Sequence, residues 1–153
     1  MSRRDAIRMS GEEVLALLAE ERVVTCATHG PRGWPHLMPL WFVVADGQVR
    51  AWTFGASQKV RNLERDPRAT LQVEAGVEYH ELRGVVLECE TEVVRDLDAV
   101  TEVGLAIMGR YAGGAAGPDV EALVRRQAEK RVGLLFHERH RATWDHRKLG
   151  GAY

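Results

Sequence analysis

Hydrophobic and polar residues follow two different periods along this chain, and the switches between them mark its elements. Ser10-Gly11-Glu12-Glu13 is a capping box, in which Ser10 can accept from first-turn amides and Glu13 can reach back. Val14, Leu15, Leu17 and Leu18 follow at helical spacing and predict a short helix. Arg22 to Thr28 is rich in β-branched residues and predicts a strand, after which Gly30-Pro31-Arg32-Gly33 signals a turn. Pro35 to Val44 is almost continuously apolar, which predicts a second strand buried on both faces. Asp46-Gly47 tolerates positive φ and predicts a hairpin into a third strand, Gln48 to Thr53.

The period changes at Ser57. Val60 and Leu63 lie three apart and Asp66-Pro67 stops the segment, so Ser57 to Glu64 reads as a short helix. Strand character returns over Arg68 to Glu74 and again over Glu81 to Val94. In that last run Leu87, Cys89, Thr91 and Val93 alternate with Glu88, Glu90 and Glu92. The alternation predicts a half-exposed strand, with the glutamates as a solvated face and not a catalytic set. Asp98 to Tyr111 places Val100, Val103, Ile107, Met108 and Tyr111 at helical spacing. Ala112 to Gly117 reads as a mobile loop, and Pro118 suits the first position of a helix over Asp119 to Arg131. Val132 to Glu138 and Arg141 to Trp144 predict two final strands before the tail from Lys148 to Tyr153. Tight turns between consecutive strands imply antiparallel pairing. Six or seven such strands with flanking helices predict an α+β fold built on a β-barrel, whose closure would leave no exposed edge.

The length, 153 residues, fits one domain over residues 1–153. Hydrophobic residues at 45% and charged residues at 28% are ordinary for a soluble globular protein. A net charge of -1 gives no support for general binding to nucleic acid or to a membrane surface. No apolar run approaches the roughly 20 residues of a membrane span, and the polar start argues against a secretory signal. The expected location is therefore the cytoplasm. Cys26 and Cys89 lie in apolar, strand-like runs outside any CxxC pair, and they read as buried small hydrophobes. No metal site is expected.

One segment invites chemistry. Thr53 to Lys59 lies where a strand ends and a helix begins. Ser57 is an N-cap residue type, and first-turn amides carry partial positive charge. Lys59 and Arg61 add full charges, and lysine otherwise stands only at Lys130 and Lys148 in this arginine-rich chain. Hydroxyl, amides and ammonium together suit a phosphate. The residues alone leave a second reading open, an ordinary capped surface helix.

A resemblance bears on that choice. Gly33-Trp34-Pro35-His36-Leu37-Met38-Pro39-Leu40-Trp41-Phe42, then Asp46-Gly47, then Trp52-Thr53 with Ser57-Gln58-Lys59 and Asn62 to Pro67, resemble the pyridoxamine 5′-phosphate oxidase-like, split β-barrel flavin-binding family. Arg83-Gly84-Val85 continues the match. Trp144 to Leu149 is similar to the C-terminal strand of the branch that uses the deazaflavin coenzyme F420. The resemblance implies a split β-barrel homodimer with two cofactor sites at the interface. It implies that backbone near Pro39, Leu40 and Trp41 lies along the cofactor ring. Thr53, Ser57, Gln58, Lys59 and Arg61 would hold the phosphate, and Trp144 would also belong to the site. The implied activity is hydride transfer between F420 and a small conjugated organic substrate. FMN in the same cradle is the alternative, and a non-catalytic flavin- or haem-binding protein a third. The substrate-phosphate and C-terminal arginine pattern of true pyridoxamine phosphate oxidases is not recognisable, which argues against vitamin B6 oxidation.

The remaining candidates carry less. His29 and His36 flank one turn and could face each other across a hairpin. His137, His140 and His146 lack the spacing of a zinc site, and all five read as ordinary histidines. Trp41 reads as core packing, and Trp144 as more open. No spacing names an acid–base pair, so the catalytic residues stay unassigned.

Overall fold

A computed structural model describes residues 2–114 and 116–151. Ala115 of the expected mobile loop and Ala152 and Tyr153 of the tail fall outside the described residues. The Ser10 capping box forms as the sequence predicts, and a second box, at Ser2, precedes it. Ser2 caps α1 (Arg3–Ala6), and Ser10 caps α2 (Gly11–Glu20) in a reciprocal box with Glu13. The strands are β1 (Val24–His29), β2 (Pro35–Leu40), β3 (Val43–Ala45), β4 (Gln48–Phe54), β5 (Arg68–Ala75), β6 (Arg83–Val94) and β7 (Arg131–Asp145). Between them lie α3 (Gln58–Arg65), α4 (Leu97–Tyr111) and α5 (Pro118–Ala128). Asp46 and Gly47, with φ of 53° and 73°, make the β3–β4 hairpin.

All strand pairs are antiparallel, in the order β2-β1-β5-β6-β7-β4-β3. The barrel is therefore split: β2 and β3 are its two hydrogen-bonding edges, where closure was expected to leave none. The core fills the interior. Val14, Leu17 and Leu18 of α2 pack there with Phe42, Leu71, Leu87 and Phe136. Each such side chain contributes about 1.5–3 kcal/mol by leaving water. A smaller cluster of Val43, Val103 and Ile107 seats α4 on the opposite face of β3 and β4, with Trp52 and Tyr111 against it. Cys26 and Cys89 are buried and unpaired, and burial pushes both thiols up to about 12. No helix among the described residues is long and apolar enough to cross a membrane.

Three expected elements come out differently. Pro35 to Val44 is not one doubly buried strand: it breaks at Trp41-Phe42, and β2 is largely exposed. Pro35 and Pro39 lack N–H donors, which suits an edge strand with a single neighbour. The two final strands are one continuous β7. Its register slips opposite Glu88/Cys89, where Glu88 pairs with His140 and Cys89 with Glu138. Arg139 is the extra residue of this bulge. The last helix ends at Ala128, and Arg131 already belongs to β7.

Glu88, Glu90 and Glu92 line the exposed side of β6 as expected, Glu90 pairing with Arg139 and Glu92 with His137. At the other end of β6 the indole of Trp144 covers Gly84. A Cβ there would sit 2.3 Å from Trp144 Cζ2. Gly84→Ala should force the indole aside and cost about 1–3 kcal/mol, read as a lower urea midpoint.

Candidate functional site

Lys59 is the least ordinary side chain in the molecule. Its position on the first turn of α3 turns it inward, where it is only 7% exposed. The ammonium donates to Thr53 Oγ1 at 2.9 Å, and no carboxylate among the described residues pairs with it. An ammonium has three donors, so two remain for a ligand. Burial holds Lys59 below the ordinary lysine value. A buried charge without a counter-ion is costly, and the usual native remedy is a partner of opposite sign.

Ser57 occupies the N-cap position with extended backbone, φ -70° and ψ 154°, yet its hydroxyl caps nothing. Ser2, Ser10 and Asp96 all cap their helices through the side chain in this same protein. Ser57 Oγ is instead buried with no hydrogen-bond partner. The expected cap thus forms in backbone only, which leaves the hydroxyl and the first-turn amides beside Lys59 open to an acceptor.

The rest of α3 is held by a polar relay. Gln58 donates to Asn62 Oδ1 at 2.8 Å, Asn62 donates to Thr28 Oγ1 at 3.0 Å, and Arg65 donates to the His29 carbonyl at 2.8 Å. Asn62 and Thr28 are both buried. In the sequence Asn62 stands only as part of a pattern, and Thr28 carries no sign of a role. The available signal was spacing: Asn62 lies four residues after Gln58 and three after Lys59, on one helix face. Gln58 is committed to this relay, and Arg61 points to solvent.

The ring-side candidates lie outside α3. Pro39 and Leu40 end the edge strand β2. Trp41 is not core, being 55% exposed and stacked on Tyr111 at 4.5 Å between centroids and 13° between planes. The strand break turns its indole outward, while Phe42 fills the core. Val43 pairs with Arg50, and the same antiparallel register carried back past the strand break sets Trp41 level with Trp52, one residue from Thr53. Trp144 is farther. Thr53 pairs with Val132, and Trp144 lies twelve residues further along β7, on the order of 35–40 Å of strand. One chain does not bring Trp144 to α3.

The histidines do not assemble. His29 pairs with Pro35 and His36 with Thr28, so the two do not face each other, and His29 leans 3.9 Å from Asp66. His137 bonds Glu92 and Gln48, His146 bonds the Tyr79 carbonyl, and His140 sits opposite Glu88. No group of three or more metal-ligating side chains forms among the described residues.

Residues 10–137 match the family model described as pyridoxamine 5′-phosphate oxidase. The chain belongs to that family. Solved structures agree on its fold. A conserved hypothetical protein from Mycobacterium tuberculosis superposes with a TM-score of 0.92 at 38% identity, covering 100% of this chain and 95% of that one. An F420 reductase superposes at 0.62 with 21% identity, over 83% of this chain and 94% of that one. HutZ, the haem storage protein of Vibrio cholerae, superposes at 0.65 with 17% identity, over 86% and 93%. No curated protein matches the chain in sequence. The fold of this pyridoxamine 5′-phosphate oxidase family member is thus shared by proteins whose names point to different cofactors.

Proposed function

We propose that this protein is an oxidoreductase that holds the phosphate of F420 at α3, reducing a small conjugated organic substrate. The observation that carries the reading is Lys59: an ammonium buried without a carboxylate, beside the unpartnered hydroxyl of Ser57. Both fit a phosphate dianion, which accepts from hydroxyl, amide and ammonium together. Thr53 orients the ammonium through its 2.9 Å contact, and the Gln58–Asn62–Thr28 relay fixes the helix that carries it. The bound cofactor would supply hydride chemistry at its ring. The chain's part is to anchor one end and leave the other against the strand backbone near Pro39 to Trp41. That backbone is available, because β2 is an edge strand.

The fold likeness to an F420 reductase supports the deazaflavin; FMN would use the same cradle. The likeness to a haem storage protein supports a second reading, a non-catalytic tetrapyrrole binder. Titration of apo-protein separates them by spectrum. FMN gives a double-peaked visible band, oxidised F420 a single band at shorter wavelength, and haem a Soret band. Saturable F420 binding with the Soret band absent is the expected result. Saturation by haem with neither flavin bound would replace the reading.

A homodimer belongs to the same proposal. Trp144 can reach a cofactor held at α3 only from a second copy. Trp34, Leu37, Met38 and Trp41 on and beside the edge strand are exposed and would be covered by one. Sedimentation should give a dimer at micromolar concentration, and a monomer would remove Trp144 from the site.

A further inference from the structure

We propose that His36 is a further ligand-binding residue of the α3 site, donating from Nδ1 to the bound anion across the split of the barrel. The proposal rests on the phosphate reading above and extends it to a residue on a different element. His36 lies in β2 with Thr28 as its Cα partner. Side chains of directly opposed residues in an antiparallel pair stand on the same face of the sheet. His36 therefore shares the face on which Asn62 of α3 meets the Thr28 hydroxyl. This is the interior face, at the end of the sheet that α3 covers.

His36 also stands apart from its strand. Pro35, Leu37, Met38 and Pro39 are exposed, whereas His36 is partly covered, and its Nδ1 is buried with no hydrogen-bond partner. A buried polar atom left unpaired is unfavourable, and native proteins keep few of them. Three are recorded here among the described residues: His36 Nδ1, Ser57 Oγ and Thr91 Oγ1. Ser57 opens α3, His36 faces the strand pair that α3 covers, and the ammonium of Lys59 has donors to spare. One anion could satisfy all three groups. Charge favours an anion too. Lys59 and Arg65 project from α3, and His29 is the other titratable group beside His36. The nearby Asp66 is already held by Arg68 at 2.7 Å. The ligand class is a phosphomonoester or phosphodiester, gripped by Ser57 and Lys59 from α3 and by His36 from the edge strand.

The test compares His36→Phe, His36→Asn and Lys59→Met in the full-length protein, titrated with FMN and F420 and with their phosphate-free ribosides. His36→Phe should weaken the phosphorylated cofactor about tenfold and leave the riboside unchanged. His36→Asn, whose amide nitrogen replaces Nδ1, should recover most of that loss. Adding inorganic phosphate to ¹⁵N-histidine-labelled protein should shift the His36 Nδ1 resonance, assigned through His36→Asn. If Lys59→Met loses affinity and His36→Phe does not, the His36 inference fails alone. If His36→Phe weakens cofactor and riboside equally, His36 is structural and the inference also fails. If neither variant loses affinity, the phosphate reading itself is wrong.

Discussion

Replacing Lys59 with methionine is expected to weaken binding of the phosphorylated cofactor by about 1.5–3 kcal/mol, roughly 10- to 150-fold, while raising the melting temperature of the ligand-free protein. The two effects share one cause. Among the described residues the buried ammonium has one hydroxyl contact and no counter-ion, so it opposes folding until an anion arrives. Methionine keeps most of the volume and removes the charge. The gain should be about 1–2 kcal/mol, or several degrees in a protein this size. Calorimetry with ligand and thermal unfolding without it read the two halves separately. An ordinary structural lysine would give a loss of stability and no change in affinity.

The pH dependence has a definite sign. Burial lowers the Lys59 value in the folded state, so the unfolded chain holds the proton more tightly. The penalty is fully present below the depressed folded value and fades as pH rises through it toward the ordinary lysine value. Ligand-free wild type should therefore gain on Lys59→Met with rising alkalinity. A bound phosphate restores the ammonium and reverses the trend.

The second large effect is expected at Arg110. Its guanidinium donates to the carbonyls of Phe42 at 2.7 Å, Leu18 at 2.8 Å, Ala19 at 3.2 Å and Glu21 at 2.6 Å. Three of these are carbonyls at the C-terminal end of α2, and the fourth sits at the strand break. The same group lies 4.5 Å over the Phe42 ring. Tyr111, next in sequence, accepts from the Phe42 amide at 3.1 Å and carries the Trp41 stack. Arg110→Ala removes one cation and strands several carbonyls, for a loss of about 3 kcal/mol and 6–12 °C in Tm. Arg110→Lys should recover less than half, since a point charge cannot fork to separate acceptors. Loosening the Trp41 stack should also raise indole mobility, visible as lower fluorescence anisotropy in a protein that keeps its far-ultraviolet spectrum. Full recovery by lysine would show that charge alone matters there.

Local signals made much of the fold legible. Ser10 with Glu13, Asp46-Gly47 and Pro118 each announced an element through chemistry confined to a few residues. Failures came where distant groups decide. The continuous apolar run from Pro35 to Val44 reads as a doubly buried strand, because nothing within it reveals the clamp from Arg110 and Tyr111, some seventy residues on. The same clamp explains why Trp41 is exposed and Phe42 is not. The bulge at Arg139 was hidden for a similar reason: register against Glu88 and Cys89 is a property of two strands. At the candidate site, residue types and spacing named Thr53, Ser57 and Lys59. They could not show that Lys59 points inward, that Ser57 leaves its cap unmade, or that His36 shares a face with Thr28.

The most direct test is a comparison of each cofactor with its phosphate-free riboside, FMN against riboflavin and F420 against its deazaflavin riboside, on the wild-type protein. A phosphate site at Ser57 and Lys59 predicts that the phosphorylated partner of at least one pair binds at least tenfold more tightly, and that Lys59→Met abolishes the difference. Equal affinities within both pairs, or a preference that survives Lys59→Met, would contradict it.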